Sequence, residues 1–181
     1  MYAGVGARET PPAVLEAIEL AARRLASAGW TLRTGMSPGA DQAFYRGAVA
    51  GRGRVELYLP WPSFESGARS PMEGAEVSVL QAPTAAAYST GARFHRGWSE
   101  LSADTRALRA RDVHEVLGRD LVSPAALVVC WTKDGSVDGE GPCVGGTGQA
   151  LRIARDHGID VLNISRPEHT RRLRRLSAPG S

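Results

Sequence analysis

The chain has 181 residues, 43% of them hydrophobic and 23% charged, with a formal net charge of +3. That length suits one domain with its own core, and that balance excludes a disordered chain. No apolar run approaches the ~18–20 residues of a membrane span, and the N-terminus shows no basic segment followed by an apolar one.

Cys130 and Cys143 can build neither a disulfide framework nor a four-ligand zinc site. A reducing, cytoplasmic setting without membrane contact is therefore expected. Lys133 is the only lysine. An almost purely arginine basic set fits either genome composition or phosphate recognition by guanidinium forks.

Met1 to Val5 reads as a first strand that breaks at Gly6-Ala7-Arg8. Thr10 suits a helix N-cap with Pro11 at the first helical position. Val14, Leu15, Ile18, Leu20, Ala21, Ala22 and Leu25 then recur at helical spacing, and Gly29 ends the helix. Trp30 to Thr34 reads as a second strand and Gly35 to Gly39 as a breaker-rich loop. Ala40 to Ala50 reads as a second helix, and Arg54 to Leu59 as a third strand. Crossovers this short imply a parallel sheet with right-handed connections.

The middle is less legible. Pro60 to Phe64 leads into a loop, and residues 74–82 fit strand or helix equally. Thr84 to Ala92 is weakly helical. Ser102 to Leu117 is a better helix, ended by Gly118. Ala125 to Trp131 is a near-continuous apolar run, as in a strand buried on both faces. A glycine-rich loop from Asp134 to Gly148, a helix from Thr147 to His157 and a strand from Ile159 to Ile164 follow. A basic tail from about residue 166 carries a short helix, His169 to Leu176, which Leu173 and Leu176 could pin. The expected architecture is one α/β domain over residues 1–181, a Rossmann-like open parallel sheet with helices on both faces.

Three loops that follow strands carry the chemistry. In such a sheet they share one edge, and ligands bind where the strand order reverses. An order 3-2-1-4-5 puts that reversal between the first strand and the strand at 125–131. Gly145, Gly146, Thr147 and Gly148 open a helix, where free N–H groups and the dipole favour an anion; a plain glycine turn is the alternative. Gly4 and Gly6 lack the third glycine of a dinucleotide fingerprint, and Arg33-Thr34 stands where an acidic ribose contact would be wanted. Arg8 can clamp a phosphate or simply face solvent. Asp41 can bond a ribose or base edge, or complement the helix dipole.

Other groups have bland readings. Phe94, His95, Arg96 and Trp98 fit a stacking platform or an anchor flanked by solvated charge. Arg106, Arg109 and Arg111 read as a solvated helix face, although Arg111 could reach the ligand edge. Arg171, Arg172, Arg174 and Arg175 form the densest basic cluster. Trp61 and Phe64 read as packing over the sheet edge. No nucleophile motif is visible, and His95, His114, His157 and His169 show no metal-ligand spacing, so no catalytic residue, metal or cofactor is expected.

The segments Gly4-Val5-Gly6-Ala7-Arg8 and Thr34-Gly35-Met36-Ser37-Pro38-Gly39-Ala40-Asp41 resemble the Rossmann-type domain of the DNA-processing DprA (Smf) family. That family pairs a G-S-R turn with an S-G-G-A-x-G-x-D segment; Ala7 replaces the serine and Met36 the second glycine. The wider SLOG superfamily includes the LOG phosphoribohydrolases, whose P-G-G-x-G-T-x-x-E motif is similar to Val144 through Arg152. Arg111-Asp112-Val113 and Trp131-Thr132-Lys133-Asp134-Gly135 resemble short phage and bacterial DprA-like proteins.

The resemblance implies a nucleotide- or single-stranded-DNA-binding protein, assembled as a homodimer or higher homo-oligomer. Its ligand residues would be Gly4, Gly6, Ala7, Arg8, Gly35, Met36, Gly39, Asp41, Arg111, Thr132, Gly145, Gly146, Thr147 and Gly148. The alternative is a LOG-like nucleotide phosphoribohydrolase or N-glycosidase. Arg152 stands where that chemistry needs a glutamate, so Asp41 or Glu9 would have to serve.

Overall fold

The computed structural model describes residues 1–69, 73–140 and 145–178. Cys143 and Val144 lie outside them. Six strands form one wholly parallel sheet: β1 (Tyr2–Gly6), β2 (Leu32–Thr34), β3 (Arg54–Tyr58), β4 (Glu76–Leu80), β5 (Leu127–Trp131) and β6 (Asp160–Asn163), in the order β4-β3-β2-β1-β5-β6. The ambiguous stretch at 74–82 is thus an edge strand. Its register pairs Val77 with Val55 and Val79 with Leu57, which gives the short apolar run a partner that periodicity alone could not supply. The order reverses between β1 and β5, as expected.

Among the described residues, six α-helices flank the sheet: α1 (Pro12–Ser27), α2 (Ala40–Ala50), α3 (Ala85–Phe94), α4 (Ala103–Leu117), α5 (Gly145–Asp156) and α6 (Pro167–Leu176). Strand alternation divides the core. Tyr2, Leu32, Leu127 and Val129 pack with Ile18, Leu25 and Phe44 of α1 and α2, and Leu173 of α6 joins them. Ala3, Val5, Val128 and Cys130 pack on the other face with Val113, Val116, Leu151 and Ile153 of α4 and α5. Leu173 and Leu176 do pin α6.

Several boundaries move for local reasons. Thr10 is not the cap of α1. Its hydroxyl donates to the Ala7 carbonyl at 2.7 Å, Pro11 takes the cap position, and Pro12 starts the helix. Gly29 ends α1 as expected: its φ is +84°, and its N–H bonds the Ala26 carbonyl while Trp30 N–H bonds Leu25. Ser102 caps α4 through Thr105 N–H at 3.2 Å, and Thr84 caps α3 through Ala87 N–H at 3.3 Å. Gly145 and Gly146, expected in a loop, already belong to the first turn of α5.

Candidate functional site

A cleft of about 430 Å³ opens at the reversal point, where the backbones of β1 and β5 part beyond the Gly6–Trp131 pair. Its walls come from four places. The end of β1 gives Val5, Gly6, Ala7 and Arg8. The start of α2 gives Ser37 and Asp41. The first turn of α5 gives Gly146 and Thr147. The fourth wall is α4, with Thr105, Leu108, Arg109, Arg111, Asp112 and Glu115. The first two loops lock together, because Ala40 N–H reaches the Ala7 carbonyl at 3.4 Å. Gly39 makes this approach possible: its φ is +88°, and a β-carbon there would stand 2.5 Å from the Arg8 carbonyl.

Arg111 is the hub. It is only 3% exposed. Nη1 donates to Asp41 Oδ2 at 3.0 Å and to Glu115 Oε1, and Nη2 donates to Ser37 Oγ at 2.7 Å. Asp112 Oδ1 lies 3.4 Å from Nη2, while its Oδ2 accepts from Arg109 Nη1 at 2.9 Å. Among the described residues, the Nε atoms of Arg109 and Arg111 and Oε1 of Gln149 are buried without a hydrogen-bond partner. Ser37 N–H donates to Asp41 Oδ2 at 3.1 Å, which ties the loop after β2 to the first turn of α2.

Burial governs the charges. It pushes the Glu115 carboxyl well above the ordinary range; Arg111 pulls it down, and Asp41 and Asp112 add to the rise. Burial also raises Asp41 against the pull of Arg111. Burial works to lower the Arg111 pKa, but Glu115, Asp112 and Asp41 hold it above the usual arginine value.

The expected ligand residues divide accordingly. Gly6, Ala7, Arg8, Asp41, Arg111, Gly146 and Thr147 line the cleft. Gly4 faces the core, where a β-carbon would stand 2.6 Å from Phe44 Cγ. Met36 is fully buried with φ +70° and packs in the core beside α2. Gly35 lies beneath the Arg111 guanidinium, and Gly39 beneath the first loop. Thr132 accepts from Asn163 Nδ2 at 2.6 Å and donates to the Ser136 carbonyl, a brace at the end of β5. Gly145, with φ +82°, and buried Gly148 shape the start of α5 without lining the cleft.

One reading is corrected. The arginines of α4 are not a solvated face: the side chains of Arg111 and Arg109 are 4% and 19% exposed. Arg152 turns away from the cleft, donating to the carbonyls of Phe94 and Gly139, both at 2.8 Å. Sequence reasoning missed Ser37, Thr105, Leu108 and Glu115. The available signal was Arg111 and Glu115 at i,i+4 beside Val113, Val116 and Leu117, which puts charge inside an otherwise buried helical segment.

Elsewhere, Trp61 and Phe64 meet edge to face at 5.1 Å and pack on the core, and Phe94 with Trp98 stays at the far end of α3. Among the described residues no cluster of histidine, cysteine and carboxylate side chains could hold a metal, and no helix is long and apolar enough to cross a membrane.

No family model and no curated protein matches the sequence. Among solved structures, the chain matches DNA processing protein A (DprA) from Streptococcus pneumoniae, with a TM-score of 0.52 and 14% identity. The match covers 98% of this chain and 56% of that one, so the chain spans about half the length of DprA. The chain is therefore similar to DprA in fold, a Rossmann-like parallel sheet flanked by helices.

Proposed function

We propose that this chain binds a nucleotide or single-stranded DNA through its phosphate, in the cleft at the β1–β5 reversal. One observation carries the reading. The N-terminal turns of α2 and α5 converge there with Arg8, Arg109 and Arg111 around a space large enough for a small ligand. Arg8 is exposed at the rim, Thr147 offers a hydroxyl, and the first turn of α5 offers backbone donors. The likeness to a DNA-processing protein supports the same class of ligand.

Hydrolysis of a glycosidic bond has less support. Glu9 is exposed and does not line the cleft, Asp41 Oδ2 is engaged by Ser37 and Arg111, and Arg152 lies on the far side of α5.

A thermal-shift panel tests the reading with inorganic phosphate, nucleoside monophosphates, ADP-ribose, NAD and a short single-stranded oligonucleotide. A bound ligand raises the melting temperature by mass action. Arg8→Ala, at an exposed position, should leave the unliganded melting temperature unchanged and remove the ligand-induced rise. A rise of undiminished size in that variant excludes this cleft. The homo-oligomer expected from the sequence is checked by light scattering on the same sample.

A further inference from the structure

The charge carried by the cleft wall defines the anion it suits. Among the described residues, Arg8, Arg109 and Arg111 face Asp41, Asp112 and Glu115, three guanidinium groups against three carboxylates. All three carboxylates and two of the arginines are buried or half-buried and interlocked. That inner set sums to one negative charge when every group is ionised. The positive contributions left for a ligand are Arg8 at the rim and the two helix N-termini, each equivalent to about half a charge. Arg111 lines the same cleft, is 3% exposed, and holds an Nε without a partner among the described residues.

Such a wall suits one negative charge better than two. A phosphodiester carries a single charge at every ordinary pH. A terminal phosphomonoester carries nearly two at neutrality, and its second charge would sit against three carboxylates in a partly water-excluded space. We infer that the cleft takes a phosphodiester-linked nucleotide and discriminates against a terminal phosphomonoester. The inference rests on the phosphate-binding reading above and narrows its ligand class. A nucleic-acid strand and a small dinucleotide share this chemistry.

The test compares two probes by calorimetric titration of the full chain. One is the dinucleotide thymidylyl-thymidine, with one diester and no terminal phosphate; the other is thymidine 5′-monophosphate. Each is titrated at about pH 5.5 and about pH 7.5, on either side of the second phosphomonoester ionisation near 6. Burial raises the Glu115 and Asp41 carboxyls, so any proton they lose between the two pH values adds negative charge to the wall and works in the same direction, against the monoester.

The expected result is diester binding at both pH values, with the monoester losing more than about tenfold relative to it at the higher pH. Glu115→Gln removes one carboxylate and should recover part of that loss; should this variant fail to fold, the wild-type ratio alone decides. A monoester that binds as tightly as the diester at the higher pH overturns the inference while leaving the phosphate site intact. Binding of neither probe, nor of an oligothymidylate of about 15 nucleotides, overturns the phosphate site itself. Tight binding of the oligonucleotide alone, weakening steeply with salt, identifies a strand as the source; comparable binding of the dinucleotide identifies a small molecule.

Discussion

The guanidinium of Arg111 rests on the α-carbon of Gly35, so close that a β-carbon at 35 would fall on it. The same relation recurs across the cleft. A β-carbon on Gly146 would meet Arg109 Nη1 and come within 2.6 Å of Asp112 Oδ2. Two glycines that read as approach points for a phosphate are thus seats for two arginines.

Gly35→Ala is therefore expected to evict Arg111 and leave Asp41 and Glu115 without their buried counter-charge. Breaking a buried pair in this way costs about 3–5 kcal/mol. A urea melt should show the loss as a lower midpoint. A change below about 1 kcal/mol would mean that Arg111 has an equivalent alternative position.

Gly4→Ala separates packing from binding. Its β-carbon would press on Phe44 and Leu32, away from the cleft. Overpacking of this kind costs about 1–3 kcal/mol, and the affinity for whatever ligand stabilises the wild type should stay unchanged. Weakened binding at full stability would instead return Gly4 to the site.

His114 contributes stability that is lost in mild acid. It is fully buried, stacks on Tyr58 at 5.6 Å, contacts the Gly118 carbonyl through Nδ1 at 2.9 Å, and accepts from Thr84 N–H through Nε2 at 3.2 Å. Burial lowers its pKa; the Gly118 contact opposes this and Arg119 adds to it. The unfolded chain, with a histidine pKa near 6.5, then binds the proton more readily. Stability from His114 is complete above that value and drains away as pH falls through the lower folded value. His114→Leu should cost stability yet flatten this part of a melting-temperature profile. An unchanged slope would assign it to other groups.

Glu115 acts in the opposite direction. Burial raises its folded pKa, so its contribution is greatest below the unfolded carboxylate value and is lost as pH rises through the folded one. Glu115→Gln should flatten the fall of melting temperature on the alkaline side of that window. A steeper fall in the variant would show that the ionised carboxylate, paired with Arg111, is the stabilising form.

Most of the framework is legible in the sequence because each element carries its own local signal. The apolar run at 127–131, the spacing of Ile18, Ala22 and Leu25, and the stops at Gly29 and Gly118 need no tertiary knowledge. Residues 76–80 do, because a short apolar run becomes a strand only by pairing with β3. The cleft is legible at Gly6, Arg8, Asp41 and Gly146, which follow strands. Its α4 wall is hidden. Nothing near residue 111 announces that the partner of its side chain is Asp41, 70 positions earlier. A charged run on a helix ordinarily faces water, and here tertiary pairing overrides that expectation.

That long-range pairing makes α4 an unusual keystone. Its last eight residues are buried, and four of them, Arg111, Asp112, His114 and Glu115, are ionisable. Such a surface gains nothing by collapsing alone, since each charge must find its partner as it leaves water. Seating α4 also closes a long loop, an entropic cost that its buried pairs and apolar contacts must offset. Until then Asp41 keeps its hydration and the loop after β2 has no guanidinium to fold around. The cleft therefore exists only once α4 is seated, and a chain interrupted before Arg111 would possess the glycine loops after β1 and β2 without the pocket they border.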